Sequence, residues 1–318
     1  MNAAYTVQNP WTFAGLKQLL ACNLRGATAQ IKTLYGTFPD RVAGANELVP
    51  EDPFFVRFIN AAHARGIKTA IPITGTESSQ PSKIKQLLLP FLSTALGIQI
   101  SVDSIRTAIQ LKNAGVLAPL SLSAATGIRD PMQLLELVDL GCRITKLEIP
   151  AMKNWDLPWL TSMIKMCNAL GIATEVTVNA ICYTGSNSCT NCNAQAIACL
   201  PFFRADPSNW LRLRWILPQH IYLYRKLGIQ NFKYLQHGQT MDHMSRNMTY
   251  YLTEREYKHN MLNLWRSTKD RKTLQVTTRI PAKLLSEFGV QAHKQCPNDC
   301  SVCQLCDFMY TLITCETG

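Results

Sequence analysis

The sequence predicts a closed (β/α)8 barrel of the TIM type, with a cysteine-rich loop after strand 7 and a cysteine-rich C-terminal extension. Two observations predict it: a glycine that ends a helical segment and precedes a β-rich one recurs six times, and the strand-like segments number eight. Alternating strands and helices imply parallel crossovers, and eight strands favour a closed barrel over an open sheet. The predicted domains are the barrel at 1–267, with an insertion at 182–220, and the extension at 268–318.

The recurring glycines mark where the predicted helices end. They are Gly66, Gly97, Gly115, Gly141, Gly171 and Gly228. Glycine suits the left-handed position after a helix, and the residues that follow alternate with period two, as in a strand. The predicted strands span 4–8, 29–35, 67–73, 98–103, 119–124, 143–149, 173–181 and 229–236. Helices are predicted at 52–65, 82–96, 104–114, 130–140 and 157–170, with the last barrel helix near 249–266.

Composition and charge limit the class of protein. Hydrophobic residues make up 47% and charged residues 17% of the chain, which predicts a folded core rather than disorder. The N-terminus lacks a secretory pattern and no apolar run is long enough to span a bilayer, so we expect a cytoplasmic chain with no membrane partner. The net charge is 32 − 21 = +11, which favours an anionic substrate, nucleic acid or an acidic protein; a basic solvated surface is the alternative.

Residue parity within the strands predicts a polar barrel interior. In the sixth strand Leu147 and Ile149 would face the helices, which leaves the intervening charged residues inside. The predicted inward residues of the last three strands are Lys146, Glu148, Glu175, Thr177, Asn179, Asn231, Lys233 and His237, and the fourth and fifth strands add Gln99, Ser101, Asp103, Ser121 and Ser123. Barrel interiors ordinarily hold Val, Ile and Leu. Buried polar groups must pair, hold water or bind a polar ligand, and the alternative is a Lys–Glu network that satisfies itself.

Two groups of cysteines predict a metal centre. The interval between Gly171 and Gly228 is 57 residues, against 18 to 31 for the other neighbours, so an insertion follows strand 7. It carries Cys182, Cys189, Cys192 and Cys199, and the tail carries Cys296, Cys300, Cys303 and Cys306. Loops after barrel strands build the catalytic face, and thiols of a cytoplasmic protein usually stay reduced.

The tail spacing, C-x3-C-x2-C-x2-C, favours a 4Fe-4S cluster, with zinc or reduced bystander thiols as alternatives. Eight thiols permit one cluster or two. The remaining four of the twelve cysteines are expected to be packing residues: Cys22, Cys142, Cys167 and Cys315. We expect Cys182 to lie within reach of the tail cysteines, because strand 7 delivers it to the barrel mouth.

The chain resembles the collagenase-like peptidase family, peptidase family U32, and especially its iron–sulfur branch. The motifs that carry the resemblance are Leu34-Tyr35-Gly36, Val178-Asn179 with Cys182, Arg214-Trp215 with Pro218, Tyr224 with Gly228, Phe232-Lys233, and Cys300, Cys303 and Cys306. The resemblance covers nearly the whole chain. It implies oxygen-independent hydroxylation of RNA bases or quinone precursors, with a 4Fe-4S cluster inside a barrel; peptidase activity is the weaker implication.

Three functions follow as hypotheses. The first is an iron–sulfur oxidoreductase or hydroxylase in which Lys146, Lys233 and His237 hold an anionic or aromatic small molecule, or RNA. In it, Glu148 or Glu175 moves protons with a raised pKa, and Asn179 orients the substrate. The second is a non-catalytic cluster-bearing subunit that serves an electron-transfer protein or a sister subunit. The third is a metal-dependent peptidase with zinc ligands drawn from His237, His243, Asp242 and Glu175.

Overall fold

Eight parallel strands close into a barrel in chain order, with the eighth strand paired to the first. The computed structural model describes residues 3–8, 10, 12–23, 29–36, 53–73, 98–116, 118–128, 130–180, 200–236, 239–266, 272, 280 and 303–316. The strands are β1 Ala3–Gln8, β2 Ala29–Tyr35, β3 Lys68–Ile73, β4 Ile98–Val102, β5 Leu120–Leu122, β6 Ile144–Ile149, β7 Ala173–Thr177 and β8 Asn231–Tyr234. The predicted (β/α)8 barrel is therefore confirmed, and each observed strand begins within two residues of its predicted start.

Helices follow most of the strands. The described helices are α1 Phe13–Ala21, α2 Pro53–His63, α3 Ile105–Asn113, α4 Pro131–Asp139, α5 Leu157–Ala169, α6 Leu200–Ala205, α7 Ile221–Lys226, α8 Met241–Thr253 and α9 Leu305–Glu316. Of these, α6 lies in the insertion and α9 in the tail. Short 3-10 turns cover Ala124–Thr126, Ala151–Lys153, Pro207–Trp210, Pro218–His220 and Met261–Leu264. The helix predicted at 82–96 lies outside the described residues. None of the described helices is long and apolar enough to cross a membrane.

The prediction for the last barrel helix is wrong in its bounds. Helix α8 begins after Thr240, whose hydroxyl accepts from the backbone N–H of His243, and it ends at Thr253, with Glu254 as its C-cap. Glu254 itself takes the left-handed conformation, with φ 50°, so no glycine marks this helix end. The prediction near 249–266 therefore placed the helix 8 residues too late at its start and 13 residues too late at its end.

The glycine pattern is otherwise confirmed in backbone geometry. Gly66, Gly115, Gly141, Gly171 and Gly228 all have φ between 67° and 101°, and Gly97 lies outside the described residues. At Gly171 a Cβ would meet no heavy atom within 4 Å, so only the left-handed backbone excludes a side chain there.

The core fills the space between the barrel and its helices. Phe232 of β8 stacks on Tyr5 of β1 with ring centroids 5.5 Å apart, and Tyr251 of α8 packs on both neighbouring strands. Cys142 and Cys167 are buried in this core, and so is Cys22 at the end of α1, as predicted. The side chain of Cys315 lies outside the described part.

Candidate functional site

The barrel interior is polar on the side built by β6, β7 and β8. Lys146, Glu148, Glu175 and Lys233 are all buried, and none is more than 7% exposed. Glu148 is register-paired with Glu175, and Thr177 with Lys233, so these side chains face the same side of the sheet. The predicted inward parity is confirmed for these residues.

Two ion pairs organise the buried charges. Lys146 Nζ lies 2.9 Å from Glu175 Oε1, which also accepts a hydrogen bond of 2.5 Å from the Thr6 hydroxyl. Lys233 Nζ lies 2.8 Å from Glu148 Oε2, and the Thr177 hydroxyl donates to Glu148 Oε1 over 2.7 Å. The two lysines and the two glutamates thus form two pairs of opposite formal charge, and these charges cancel.

The electrostatics of the second pair favour its ionised form. Burial alone would raise the pKa of Glu148, but the Lys233 ammonium and the hydrogen bonds from Lys233 and Thr177 outweigh it and lower the pKa. Burial would lower the pKa of Lys233, and the carboxylate of Glu148, with Tyr35 and Glu175, raises it instead. The expectation of a raised carboxyl pKa is therefore wrong for Glu148, because a cation is in direct contact with it.

Two further interior residues were missed by the sequence reasoning. The Lys233 ammonium lies 3.9 Å from the centroid of the Tyr35 ring, a cation–π contact, and Thr6 binds Glu175. Burial, together with the carboxylates of Glu148 and Glu175, raises the pKa of Tyr35, although Lys233 opposes the shift. Thr6 occupies an inward position of β1 and Tyr35 an inward position of β2. The parity rule, applied to those two strands, would have found both.

The interior network keeps unused hydrogen-bonding capacity. An ammonium carries three N–H donors, and Lys146 and Lys233 each donate a single hydrogen bond among the described residues. Within the same part of the chain, Glu175 Oε2 accepts none. The two ion pairs therefore leave N–H groups of both lysines and Oε2 of Glu175 without a hydrogen-bond partner among the described residues.

Small residues occupy much of the inward face of β3 to β5. Pro72 of β3 is register-paired with Ser101, and Ser101 with Ser121, so all three share the inward face. Ala70 lies two residues before Pro72 on the same face and is register-paired with Gln99, a longer polar residue. Barrel interiors are usually packed with branched apolar side chains. This side of the interior therefore also departs from a usual barrel core.

Asn179 lies just beyond β7 and is bound by backbone. Its amide group donates to Leu235 O over 2.8 Å and to Leu264 O over 2.9 Å, and its carbonyl accepts from Leu235 N. Four of the five residues predicted to converge therefore do so as two ion pairs, while Asn179 ties the ends of β7 and β8 together. Its role in orienting a substrate stays a prediction.

The part of the insertion that the structure describes packs at the carboxyl end of β7. Ile216 N donates to Val178 O, and the indole of Trp215 donates to Ala180 O. Beside them, Trp210 stacks on Phe203 with centroids 4.2 Å apart and contacts Trp265 at 5.2 Å. Segment 200–217 therefore lies at the barrel mouth, as a βα loop should.

Helix α9 of the tail contacts this same segment. Asp307 accepts hydrogen bonds from Arg212 and Ser208, each over 2.7 Å. Cys303 is partly exposed, Cys306 is buried, and neither forms a disulfide. The regions that flank the two cysteine groups thus meet at one end of the barrel.

The predicted metal ligands fall mostly outside the described residues. These are Cys182, Cys189, Cys192, Cys199, Cys296 and Cys300, and the predicted substrate contact His237 lies outside as well. Within the described ranges, no three His, Cys, Asp or Glu side chains are placed to hold a metal ion. The expected proximity of Cys182 to the tail stays a prediction.

The described residues do not assemble the alternative zinc site. His243 Nε2 lies 2.5 Å from the backbone carbonyl of Asn263, and Asp242 accepts from Gln18 on the surface. Glu175 points into the barrel and is engaged there by Lys146.

Comparison with known proteins reveals similarity at the level of structure alone. No protein-family model matches the chain, and no curated protein matches it in sequence. The U32 peptidase Mk0906 is similar over 74% of this chain and 92% of its own, with 12% identity and a TM-score of 0.45. A lyase/mutase described as putative, from Burkholderia cenocepacia J2315, is similar over 73% of this chain and 76% of its own, with 14% identity and a TM-score of 0.39.

Proposed function

We propose that this chain is an iron–sulfur enzyme whose barrel interior holds a small polar substrate beneath a cysteine-ligated cluster, and that it carries out oxygen-independent hydroxylation or a related redox reaction. The observation that carries the proposal is the contact between helix α9 and segment 200–217. It joins the flanks of both cysteine groups at the barrel mouth, where β6, β7 and β8 also present the buried charged residues.

The described thiols fit such a cofactor. Cys303 and Cys306 form no disulfide, and they are spaced as a C-x2-C pair at the start of α9. Thiolates with this spacing are common ligands of iron–sulfur clusters. We propose that they act with Cys296 and Cys300 of the tail, and with Cys182, Cys189, Cys192 and Cys199 of the loop. A bound cluster would supply one-electron transfer to the reaction.

The barrel residues would bind the substrate and move its proton. The free N–H donors of Lys146 and Lys233 suit carbonyl, carboxylate or hydroxyl oxygens of a ligand. Glu175 is the better candidate for the base, because its Oε2 is unengaged among the described residues, whereas both oxygens of Glu148 are bonded. Glu148 would serve as the fixed counter-ion of Lys233.

The charge balance of the interior refines the kind of substrate. Because the two lysines and two glutamates cancel, an anion gains no net attraction from these four groups. A ligand that carries both hydrogen-bond donors and acceptors can bind the remaining N–H groups of the two lysines and Oε2 of Glu175. An aromatic hydroxyl compound or a nucleobase of RNA has this character, while an anionic substrate would need further cations from outside the four.

A non-catalytic cluster-bearing subunit is the second candidate, and the ion pairing favours it. Two Lys–Glu pairs that largely satisfy each other are also what a purely structural interior would contain. In that case the cluster would serve an electron-transfer protein or a sister subunit. Replacing Glu175 distinguishes the two proposals, because only the enzyme would need this carboxylate for its activity.

Anaerobic purification tests the cofactor directly. We expect a brown protein with roughly four irons and four sulfides per chain if one cubane cluster is bound, and about twice that for two. Stoichiometric zinc with no iron would refute the proposal.

Activity is tested in cells that lack the chain and carry either the wild type or Glu175→Gln. Mass spectrometry of RNA nucleosides and quinone precursors should reveal a hydroxylated product only with the wild type, while both proteins contain equal iron. Equal product from both would exclude Glu175 as the base, and unchanged profiles with the wild type would favour the non-catalytic subunit.

A further inference from the structure

One carboxylate fixes the first turn of helix α9. Asp307 Oδ1 accepts from the Ser208 hydroxyl over 2.7 Å and from Arg212 Nη2 over 2.7 Å, and the same nitrogen lies 2.9 Å from Oδ2. Both carboxylate oxygens therefore face the guanidinium. Charge-assisted hydrogen bonds are stronger than neutral ones, so this contact links α9 to segment 200–217.

The opposing side of this contact is rigid. Ser208 is buried, and its N–H is held by the side chain of Asp206. Arg212 donates with its other terminal nitrogen to Asn209 Oδ1 over 2.8 Å, and the adjoining Trp210 is buried in an aromatic stack. Contacts within segment 200–217 thus hold the Arg212 and Ser208 donors that bind Asp307.

The first turns of α9 pack only partly against the core. Among residues 305–311, Leu305, Met309 and Tyr310 are partly buried, Cys306 is buried, and Phe308 is 60% exposed. The contribution of apolar burial grows with the area removed from water, so these partly buried side chains contribute less than fully buried ones would. Polar contacts of Asp307 therefore add to the docking of this part of the helix.

We propose that the Arg212–Asp307 ion pair is a clasp that positions the tail thiols for cluster binding. Cys306 directly precedes Asp307 and Cys303 lies three residues further back, while the other half of the clasp follows the loop that ends with Cys199. The clasp joins the segment that follows the cysteine loop to the helix that carries Cys306. The inference rests on the proposed function, and Asp307 acts as a positioning residue rather than a ligand.

The test compares the full-length wild type with Asp307→Ala and with Glu254→Gln as a matched control. Arg225 and Glu254 form an ion pair of the same length, 2.7 Å, between α7 and the end of α8. Iron and sulfide are measured after anaerobic purification, and amide hydrogen exchange is followed in the 305–316 peptides. We expect Asp307→Ala to lose at least half of its iron and to exchange roughly fivefold faster in α9. The control should match the wild type in both measurements.

A charge-exchanged double variant, Arg212→Asp with Asp307→Arg, should recover part of the iron and of the exchange protection. Wild-type iron and exchange in Asp307→Ala would overturn the clasp. Faster exchange throughout the barrel strands would overturn it as well, because the pair would then support the fold in general. If the wild type itself holds no iron, the iron–sulfur function fails, and the exchange in α9 alone decides whether the pair docks the tail.

Discussion

Replacing Glu148 with glutamine should destabilise the barrel strongly, because it removes the only anion in contact with the Lys233 ammonium among the described residues. Glu148 and Lys233 are at most 7% exposed, so solvent screens their interaction little. Breaking a buried ion pair by removing one partner costs about 3–5 kcal/mol. An amide at this position must also turn its NH2 group toward either Lys233 or Thr177. We therefore expect a loss of about 3–5 kcal/mol at pH 7.

Glu175→Gln is the matched comparison. Its amide oxygen can keep both the Thr6 and the Lys146 hydrogen bonds, because these converge on Oε1, and its NH2 group can take the place of the unengaged Oε2. We expect this variant to be less destabilised than Glu148→Gln by about 1 kcal/mol, the worth of one hydrogen bond.

Urea unfolding at several pH values measures both effects. A loss of 3–5 kcal/mol corresponds to a midpoint shift of about 1–2 M. Because the folded pKa of Glu148 is lowered, its contribution is complete above the unfolded pKa of about 4.3 and is lost as the pH falls through the folded pKa. The difference between wild type and Glu148→Gln should therefore stay constant from about pH 5 to 8 and shrink in more acidic solution.

The double variant Glu148→Met with Lys233→Met completes the design. Removing both charges leaves no uncompensated ion, so it should be less destabilised than Glu148→Gln. If Glu148→Gln loses under about 1 kcal/mol, or if its deficit grows in acid, the buried pair does not stabilise the barrel as reasoned.

Three further predictions concern local structure and reactivity. Gly171→Ala should lose about 1–2 kcal/mol in urea unfolding, entirely through its φ of 67°, since nothing crowds the new methyl group; no loss would contradict the left-handed geometry. Asp130→Ala removes the capping box of α4 and should lower stability by about 1 kcal/mol, whereas Asp130→Asn should lose much less. Burial raises the pKa of the Cys167 thiol to about 12, so iodoacetamide at pH 8 should label Cys303 of the metal-free chain and leave Cys167 unmodified, as peptide mass spectrometry would reveal.

The barrel was predictable because its signals are local and repeated. A left-handed glycine after five of the described helices and a two-residue alternation in the strands depend on neighbouring residues alone, as Gly228 and the following β8 illustrate. The end of α8 escaped prediction because Glu254 adopts φ 50° without being glycine, held by tertiary contacts such as its ion pair with Arg225.

The sequence was enough to predict which charged residues lie inside the barrel, but not which lysine pairs with which glutamate. Parity places Lys146, Glu148, Glu175 and Lys233 on the inward face, but it does not say which cation meets which anion. That choice depends on strand register and side-chain reach, so only the structure pairs Lys233 with Glu148. The downward shift of the Glu148 pKa follows from that pairing, which is why burial alone predicted the wrong sign.

The side chain of Asn179 completes the pairing of β7 with β8 close to the point at which the insertion begins. It bonds to both backbone groups of Leu235, in the way that a further strand residue would, and to Leu264 as well. Strand pairing between β7 and β8 is thereby completed before the chain leaves for the insertion. Lengthening, shortening or exchanging the segment that follows residue 180 then need not alter the strands, so evolution could change the chemistry at the barrel mouth while the scaffold stays the same.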